Sequence, residues 1–237
     1  MIDVHAHILP NLDDGPSSIE ESIKMCRLAT EDGIRTVIAT PHMLKDMYPL
    51  SRQDVIDKVD VLNTILKEHE IDLKIVPGAE VAIVPDLFDR FMKGDLITVG
   101  NSKRHIFIEL TDYFPEKEIT SVLKSLLDEN VIPIISHPER NITIQNNLSI
   151  LEKFVEMGAL SQLTAMSITG DFGYRAQRSA TKILKRGFSH FTATDAHSLL
   201  WRPPVLSKAM KRISRIIGQE KAREQVMGSG LNILTVD

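Results

Sequence analysis

Two histidines near the start of the chain have the spacing of metal ligands on a β-strand. Apolar and polar residues alternate from Ile2 to His7, and a period of two is typical of a strand. His5 and His7 therefore point to the same side, and Asp13 and Asp14 follow in the next loop. Imidazoles and carboxylates together can hold a divalent metal ion. Two polar residues on a solvated face would give the same local pattern.

The positions of the other histidines favour a metal site. Five of the eight histidines and four acidic residues fall at or just beyond the carboxyl ends of predicted strands: His5, His7, His42, His137, His197, Asp14, Glu80, Glu109 and Asp195. In a β/α barrel these strand ends open onto one face, so we predict that the nine side chains converge there. A tetrahedral zinc needs only about four ligands. The set therefore suits two or three ions, with Glu80 as the bridging carboxylate.

The strands and helices that must position these residues alternate along the whole chain. The predicted strands cover residues 2–7, 36–40, 73–77, 105–109, 131–135, 160–164 and 190–194. The predicted helices cover residues 17–33, 51–69, 85–93, 116–130, 148–157, 174–186, 205–217 and 219–227. Such alternation indicates a parallel sheet. Seven units without a break in composition predict one α/β domain over residues 1–237, folded as a closed barrel.

Composition and charge narrow the class of protein. A hydrophobic content of 43% and a charged content of 25% are typical of a soluble globular protein. The net charge of −4, without a visible basic block or stripe, argues against nucleic-acid binding. The single cysteine, Cys26, cannot form an internal disulfide, which favours the cytoplasm. No signal peptide is visible, and no apolar run approaches the roughly 20 residues of a membrane span.

The histidine and carboxylate motifs closely resemble those of the polymerase and histidinol phosphatase (PHP) superfamily. Within it, they look like the manganese-dependent protein-tyrosine phosphatases of bacterial capsule and exopolysaccharide clusters. The resemblance rests on His5-Ala6-His7, Asp14, Thr40-Pro41-His42, Pro77-Gly78-Ala79-Glu80, Glu109, Ser136-His137-Pro138-Glu139-Arg140 and Thr194-Asp195-Ala196-His197. It implies a TIM-like, distorted seven-stranded barrel with a trinuclear centre. It also implies a phosphotyrosine substrate on the cytoplasmic tail of a bacterial tyrosine kinase that controls polysaccharide export.

The same resemblance distributes the residues among three metal sites. One site is implied for His5, His7, Glu80 and Asp195, a second for Glu80, Glu109 and His137, and a third for Asp14, His42 and His197. Arg140 and Arg202 match the phosphate-contacting arginines of the family. Imidazole and carboxylate ligands without thiolate are compatible with Mn, Fe or Zn. The family implies Mn.

The sequence lacks the residues of other phosphate chemistries. Cysteine-based phosphotyrosine hydrolysis needs a Cys-x5-Arg cradle, but Asp32 stands six places after Cys26. No Walker-type glycine-rich phosphate loop is present. We therefore expect hydrolysis by a hydroxide that bridges two metal ions, with no residue identified as general acid. The alternatives are a small-metabolite phosphatase, such as one acting on histidinol phosphate, and a non-catalytic metal-binding module. The mostly short loops favour an open rim and a protein substrate.

Overall fold

The chain alternates β-strands with α-helices in a computed structural model that describes residues 1–44, 46–111 and 115–234. The strands are β1 Ile2–Ala6, β2 Thr36–Ala39, β3 Lys74–Pro77, β4 Glu80–Ala82, β5 His105–Glu109, β6 Ile132–Ser136, β7 Leu160–Thr164 and β8 Phe191–Ala193. The helices are α1 Ile19–Glu31, α2 Arg52–Glu68, α3 Leu87–Lys93, α4 Glu116–Asp128, α5 Ile142–Asn146, α6 Ser149–Glu156, α7 Ala165–Thr169, α8 Gly173–Arg186, α9 Ser207–Ile217, α10 Gln219–Arg223 and α11 Ser229–Leu234. Short 3-10 and π-helical turns cover Val99–Asn101 and Glu224–Gly228.

The strands form two parallel sheets, in the orders β1-β2-β3 and β4-β5-β6-β7-β8. In the first, Val37 pairs with Ile75, and in the second Phe107 pairs with Ile134. All five residues of β1 are buried, as expected for parallel strands that are covered on both faces. The alternation of strands and helices in the sequence thus predicted the parallel α/β class correctly.

The two sheets meet near their carboxyl ends. The amide of His7 donates to the carbonyl of Ala196 at 2.8 Å, which links β1 to the segment after β8. On the other side, the amide of Met43 donates to the carbonyl of Glu80 at 3.0 Å. These bonds bring both sheet edges together where the predicted site residues lie.

The predicted closed barrel of seven strands is not confirmed. The described ranges contain eight strands in two sheets, because Glu80–Ala82 forms a strand of its own instead of ending β3. The chain turns between them at Gly78, where a Cβ would come within 2.9 Å of Ile38 Cγ2. A glycine permits this close approach of the turn to β2, and the chain can then begin a strand in the second sheet.

Local capping explains why several predicted helices begin where they do. Ser18 caps α1 by accepting from the amide of Glu21. Ser51 and Asp54 form a reciprocal capping box at the start of α2. The short helices α5 and α7 were not predicted, because five residues are too few to show a helical period. None of the helices in the described ranges is both long and apolar enough to cross a bilayer.

The exposed sides of α8 and α9 carry much of the positive charge of the chain. The exposed cations of α8 are Arg175, Arg178, Lys182, Lys185 and Arg186. Those of α9 are Lys208, Lys211, Arg212 and Arg215. The two helices are in contact, and we call these nine side chains the basic face. The basic face is not visible as one stripe in the sequence, because β8 and a loop separate the two helices along the chain.

Candidate metal centre

The nine predicted metal-binding side chains lie in one cluster. Three groups of their ligand atoms each lie within 4.8 Å of one another: His7, Asp14, His42 and His197; His5, His7 and Glu80; and His42, Glu80 and Glu109. His137 and Asp195 join the same cluster. The His137 Nε2 atom lies 3.0 Å from Glu80 Oε1, and Asp195 Oδ1 lies 3.6 Å from His5 Nε2.

The carboxyl ends of the strands supply most of this cluster. His5 lies within β1 and His7 just beyond it, so that their Nε2 atoms are 3.3 Å apart. Glu109 is the last residue of β5, and His137 directly follows β6. Glu80 is the exception, because it begins β4 instead of ending β3. Its side chain is 1% exposed and reaches the centre of the cluster.

Several buried polar atoms in the cluster have no hydrogen-bond partner among the described residues. They include both carboxylate oxygens of Glu80, Oδ1 of Asp195, Nδ1 of His42 and Nε2 of His197. Buried polar atoms without partners are costly. Yet Glu80 Oε2 lies 3.2 Å from His42 Nδ1, and His197 Nε2 lies 3.3 Å from Asp14 Oδ1. Nitrogen and oxygen atoms that converge in this way, without bonding to each other, fit shared divalent cations.

The charges in the cluster shift the pKa values of its members. Burial alone would raise the pKa of Glu80, but His5 and His137 outweigh it and hold that pKa well below its usual range. Burial would lower the pKa of His5, but Glu80 and Asp195 raise it to about 9. Burial lowers the pKa of His7 to about 4, against the opposing effect of Asp13. Without a metal, His7 is therefore neutral at pH 7 whereas His5 is protonated, so a cation bound at His5 would displace a proton.

Two residues orient the clustered histidines from behind. Asp13 Oδ2 lies 2.5 Å from His7 Nδ1 and accepts from the His42 amide at 2.9 Å. Gln162 Oε1 lies 3.1 Å from His5 Nδ1. Metal-binding histidines usually have such a partner on the second ring nitrogen. The sequence showed Asp13 only as a possible oxygen ligand, and nothing in it pointed to Gln162, which β7 brings across the sheet.

Both predicted arginines contact the same carboxylate at the edge of the cluster. Arg140 Nη1 lies 2.5 Å from Asp195 Oδ2, and Arg202 Nη2 pairs with the same oxygen. Their guanidinium carbons lie 5.1 and 5.7 Å from the centre of the Phe172 ring, within the range of cation–π contacts. The other oxygen of Asp195 faces the histidines, so one carboxylate connects the two parts of the site. Sequence reasoning missed Phe172, which has no distinguishing pattern.

Two residues of the site have a left-handed backbone although neither is glycine. His137 has φ of +30° and Asp195 has φ of +52°. This region is uncommon for residues with a Cβ, and such strain concentrates at functional sites. His137 directly follows β6 and Asp195 lies two residues beyond β8, so both unusual conformations occur where the chain leaves a strand at the cluster.

The whole described chain matches a known protein family. The family model described as "Capsular polysaccharide synthesis, CpsB/CapC" matches residues 1–235. The chain belongs to this family. Among curated CpsB/CapC relatives, tyrosine-protein phosphatase YwqE of Bacillus subtilis is 36% identical over 93% of this chain and 86% of its own length. Tyrosine-protein phosphatase CpsB of Streptococcus pneumoniae is 30% identical over 94% of both chains.

Solved structures support the same assignment. A crystal structure from work on YwqE and CpsB, described as unique metal-dependent tyrosine phosphatases, aligns with a TM-score of 0.93 and 33% identity. It covers all of this chain and 96% of that one. Histidinol phosphate phosphatase from Lactococcus lactis aligns with a TM-score of 0.56 at 14% identity, over 92% of this chain and 93% of that one. This more distant match shows the fold alone, which is TIM-barrel-like.

Proposed function

We propose that this CpsB/CapC chain is a metal-dependent tyrosine-protein phosphatase and that the nine-residue cluster is its active centre. The observation that carries the proposal is Glu80, whose two buried oxygens face different histidines, His42 and His137, without a hydrogen bond to either. Two arginines stand at the edge of the same cluster. The family match over residues 1–235 supports a single phosphatase domain.

The cluster fits two or three divalent ions, and we propose Mn, with Fe or Zn as alternatives. The ligand groups in the structure differ slightly from the three metal sites that the family resemblance implies. His7 also lies near Asp14, His42 and His197, and His42 also lies near Glu80 and Glu109. His42 Nδ1 lies 4.0 Å from Glu109 Oε2. Bound ions would act as Lewis acids and activate a water molecule as the nucleophile.

The residues of the chain itself bind and orient the phosphate. Arg140 and Arg202 present planar guanidinium groups, which can donate two parallel hydrogen bonds to phosphate oxygens. Phe172 supports both arginines from one side, so that they keep their direction when the substrate replaces part of their contact with Asp195. The leaving tyrosine has a pKa near 10 and needs little protonation, which fits a site without an assigned general acid.

A cysteine nucleophile has no support in this fold. Cys26 is buried in α1, and burial raises the pKa of its thiol to about 12. A thiol with this pKa is protonated at neutral pH and cannot attack phosphorus.

We further propose that the substrate is the phosphotyrosine-bearing tail of a bacterial tyrosine kinase involved in capsule or exopolysaccharide synthesis. The description of the family and the names of the relatives support this choice. The free thiol of Cys26 supports a cytoplasmic location.

The test is hydrolysis by metal-stripped protein before and after Mn is added. A phosphotyrosine peptide and histidinol phosphate are compared, with Cys26→Ser as a control that leaves the cluster intact. We expect Mn-dependent release from the peptide and little from the metabolite. The opposite preference would indicate that the protein is a phosphatase for small metabolites. Full activity without metal, after chelation is verified by elemental analysis, would remove the cluster from the mechanism.

A further inference from the structure

One segment in the last third of the sequence carries a local excess of positive charge. Residues 173–218 contain ten Lys and Arg but a single acid, Asp195, which belongs to the cluster. The chain as a whole has 28 Lys and Arg against 32 Asp and Glu, so the remainder is strongly acidic. The basic face therefore stands on an otherwise negative molecule.

The basic face is largely unneutralised within the protein. Among the described residues, one of its nine cations, Arg186, has an acidic partner, with Glu152 Oε2 at 3.9 Å. Like charges also stand four residues apart on one helix, as in Lys208 and Arg212 or Lys211 and Arg215. Such pairs disfavour the helix that carries them. An anionic partner along α8 and α9 would remove this repulsion.

The basic face begins beside the two arginines of the site. Helix α8 starts at Gly173, directly after Phe172, whose ring lies beneath both guanidinium groups. In the first turn of α9, Lys208 lines a cavity of about 230 Å³ together with one acid, Asp171, and with Trp201 and Pro203, the two neighbours of Arg202. A chain that leaves the site on this side therefore meets the basic face at once.

We propose that the basic face binds an acidic segment of the substrate next to the phosphotyrosine. This inference rests on the proposed phosphatase function and adds a second recognition surface to it. The 14 residues of α8 span about 21 Å at 1.5 Å per residue. An extended chain covers about 3.3 Å per residue, so roughly six substrate residues span the face. Trp201, which is 83% exposed, offers an apolar contact at the start of this path.

The experiment compares two peptides with the same central phosphotyrosine. One has six Asp and Glu residues on each side, and the other has Ser and Asn in their place. Electrostatic attraction to a charged surface raises association rates by about 10-fold or more and weakens with salt. We expect kcat/KM at low salt to be about 10-fold higher for the acidic peptide, and the difference to shrink at high salt.

Two triple variants with the same change in charge locate the effect. The test variant replaces Lys211, Arg212 and Arg215 of α9 by Glu. The control variant replaces Lys93, Lys117 and Lys124 by Glu as well. These three lysines are exposed and lie outside the basic face. We expect the test variant to lose most of the preference for the acidic peptide and the control to keep most of it, with melting temperatures confirming that both fold.

The outcomes separate the docking proposal from the proposed function. A wild-type protein that hydrolyses neither peptide in the presence of Mn would refute the phosphatase function itself. Equal kcat/KM for both peptides, or an equal loss in the two triple variants, would overturn docking and leave the phosphatase standing. Docking would also be overturned if the test variant kept its peptide preference but lost binding to phosphatidylglycerol vesicles. The basic face would then be a surface that binds anionic membranes.

Discussion

Replacement of Asp13 by Asn tests whether the orientation of His7 controls metal binding. The Asp13 carboxylate is 1% exposed and receives three contacts, from His7 Nδ1, the His42 amide and the Gly15 amide. A carboxylate can only accept hydrogen bonds, so it holds the proton of His7 on Nδ1. The Nε2 atom is then free to face the cluster, where it lies 3.7 Å from Glu80 Oε2.

An Asn side chain cannot satisfy all three contacts in either orientation. If its oxygen faces His7, its amide group faces the Gly15 amide, and two donors meet. If its amide group faces His7, it favours the tautomer with the proton on Nε2, which is the wrong atom for metal binding. An unsatisfied buried donor costs about 1–3 kcal/mol of stability. Loss of such an orienting partner weakens metal affinity by about 10–100-fold, or roughly 1.4–2.7 kcal/mol.

The assay is a Mn titration of metal-stripped Asp13→Asn, followed by calorimetry and by phosphotyrosine-peptide hydrolysis. The matched control is Asp32→Asn, because Asp32 also accepts from three donors, on Leu206 and Ser207, at the start of α9. We expect the control to lose some stability but to keep wild-type Mn affinity. If Asp13→Asn folds and binds Mn like wild type while its kcat falls, then Asp13 acts on the substrate and our account of its role is wrong.

Three further changes probe other parts of the molecule. Arg140→Ala should lower kcat/KM for the peptide by 10-fold or more with unchanged Mn content, and loss of metal would instead make it structural. Cys26→Ser should keep peptide hydrolysis within about twofold, because the buried thiol lies outside the cluster; inactivity of the folded variant would contradict the metal mechanism. Burial raises the pKa of Asp3 from 3.8 to about 6, despite the opposing bond from Thr194. The folded state therefore holds this proton more tightly, and metal-free protein should lose up to about 3 kcal/mol of stability as the pH rises from 4 past 6. Asp3→Asn should flatten that part of the profile in urea unfolding, and an unchanged slope would exclude Asp3 as its source.

The sequence was most informative about those site residues that lie near the end of a strand. His42, His137 and His197 each come shortly after a predicted strand, and the barrel rule was enough to predict that they meet. Alternation alone predicted which way His5 and His7 point. These predictions needed only local periodicity and the common direction of parallel strands.

Features that depend on distant register could not be predicted. The sequence predicted Glu80 as a ligand, but not that it begins β4 after a turn at Gly78 that passes close to Ile38. Likewise, one oxygen of Asp195 pairs with both Arg140 and Arg202, which lie 55 and 7 positions away from it in the sequence. No single-chain pattern encodes such pairings, because each partner alone resembles an ordinary surface charge.

The left-handed backbone at His137 and Asp195 has a consequence for attempts to engineer a more heat-resistant protein. An L-residue in this region costs about 1–2 kcal/mol, whereas glycine adopts it freely. Glycine at either position should relieve backbone strain and also remove a side chain of the proposed centre. At His137, selection for thermal resistance alone would therefore favour a substitution that inactivates this enzyme. At Asp195, the lost ion pairs with Arg140 and Arg202 oppose the relief of backbone strain, so the conflict between stability and activity is weaker there.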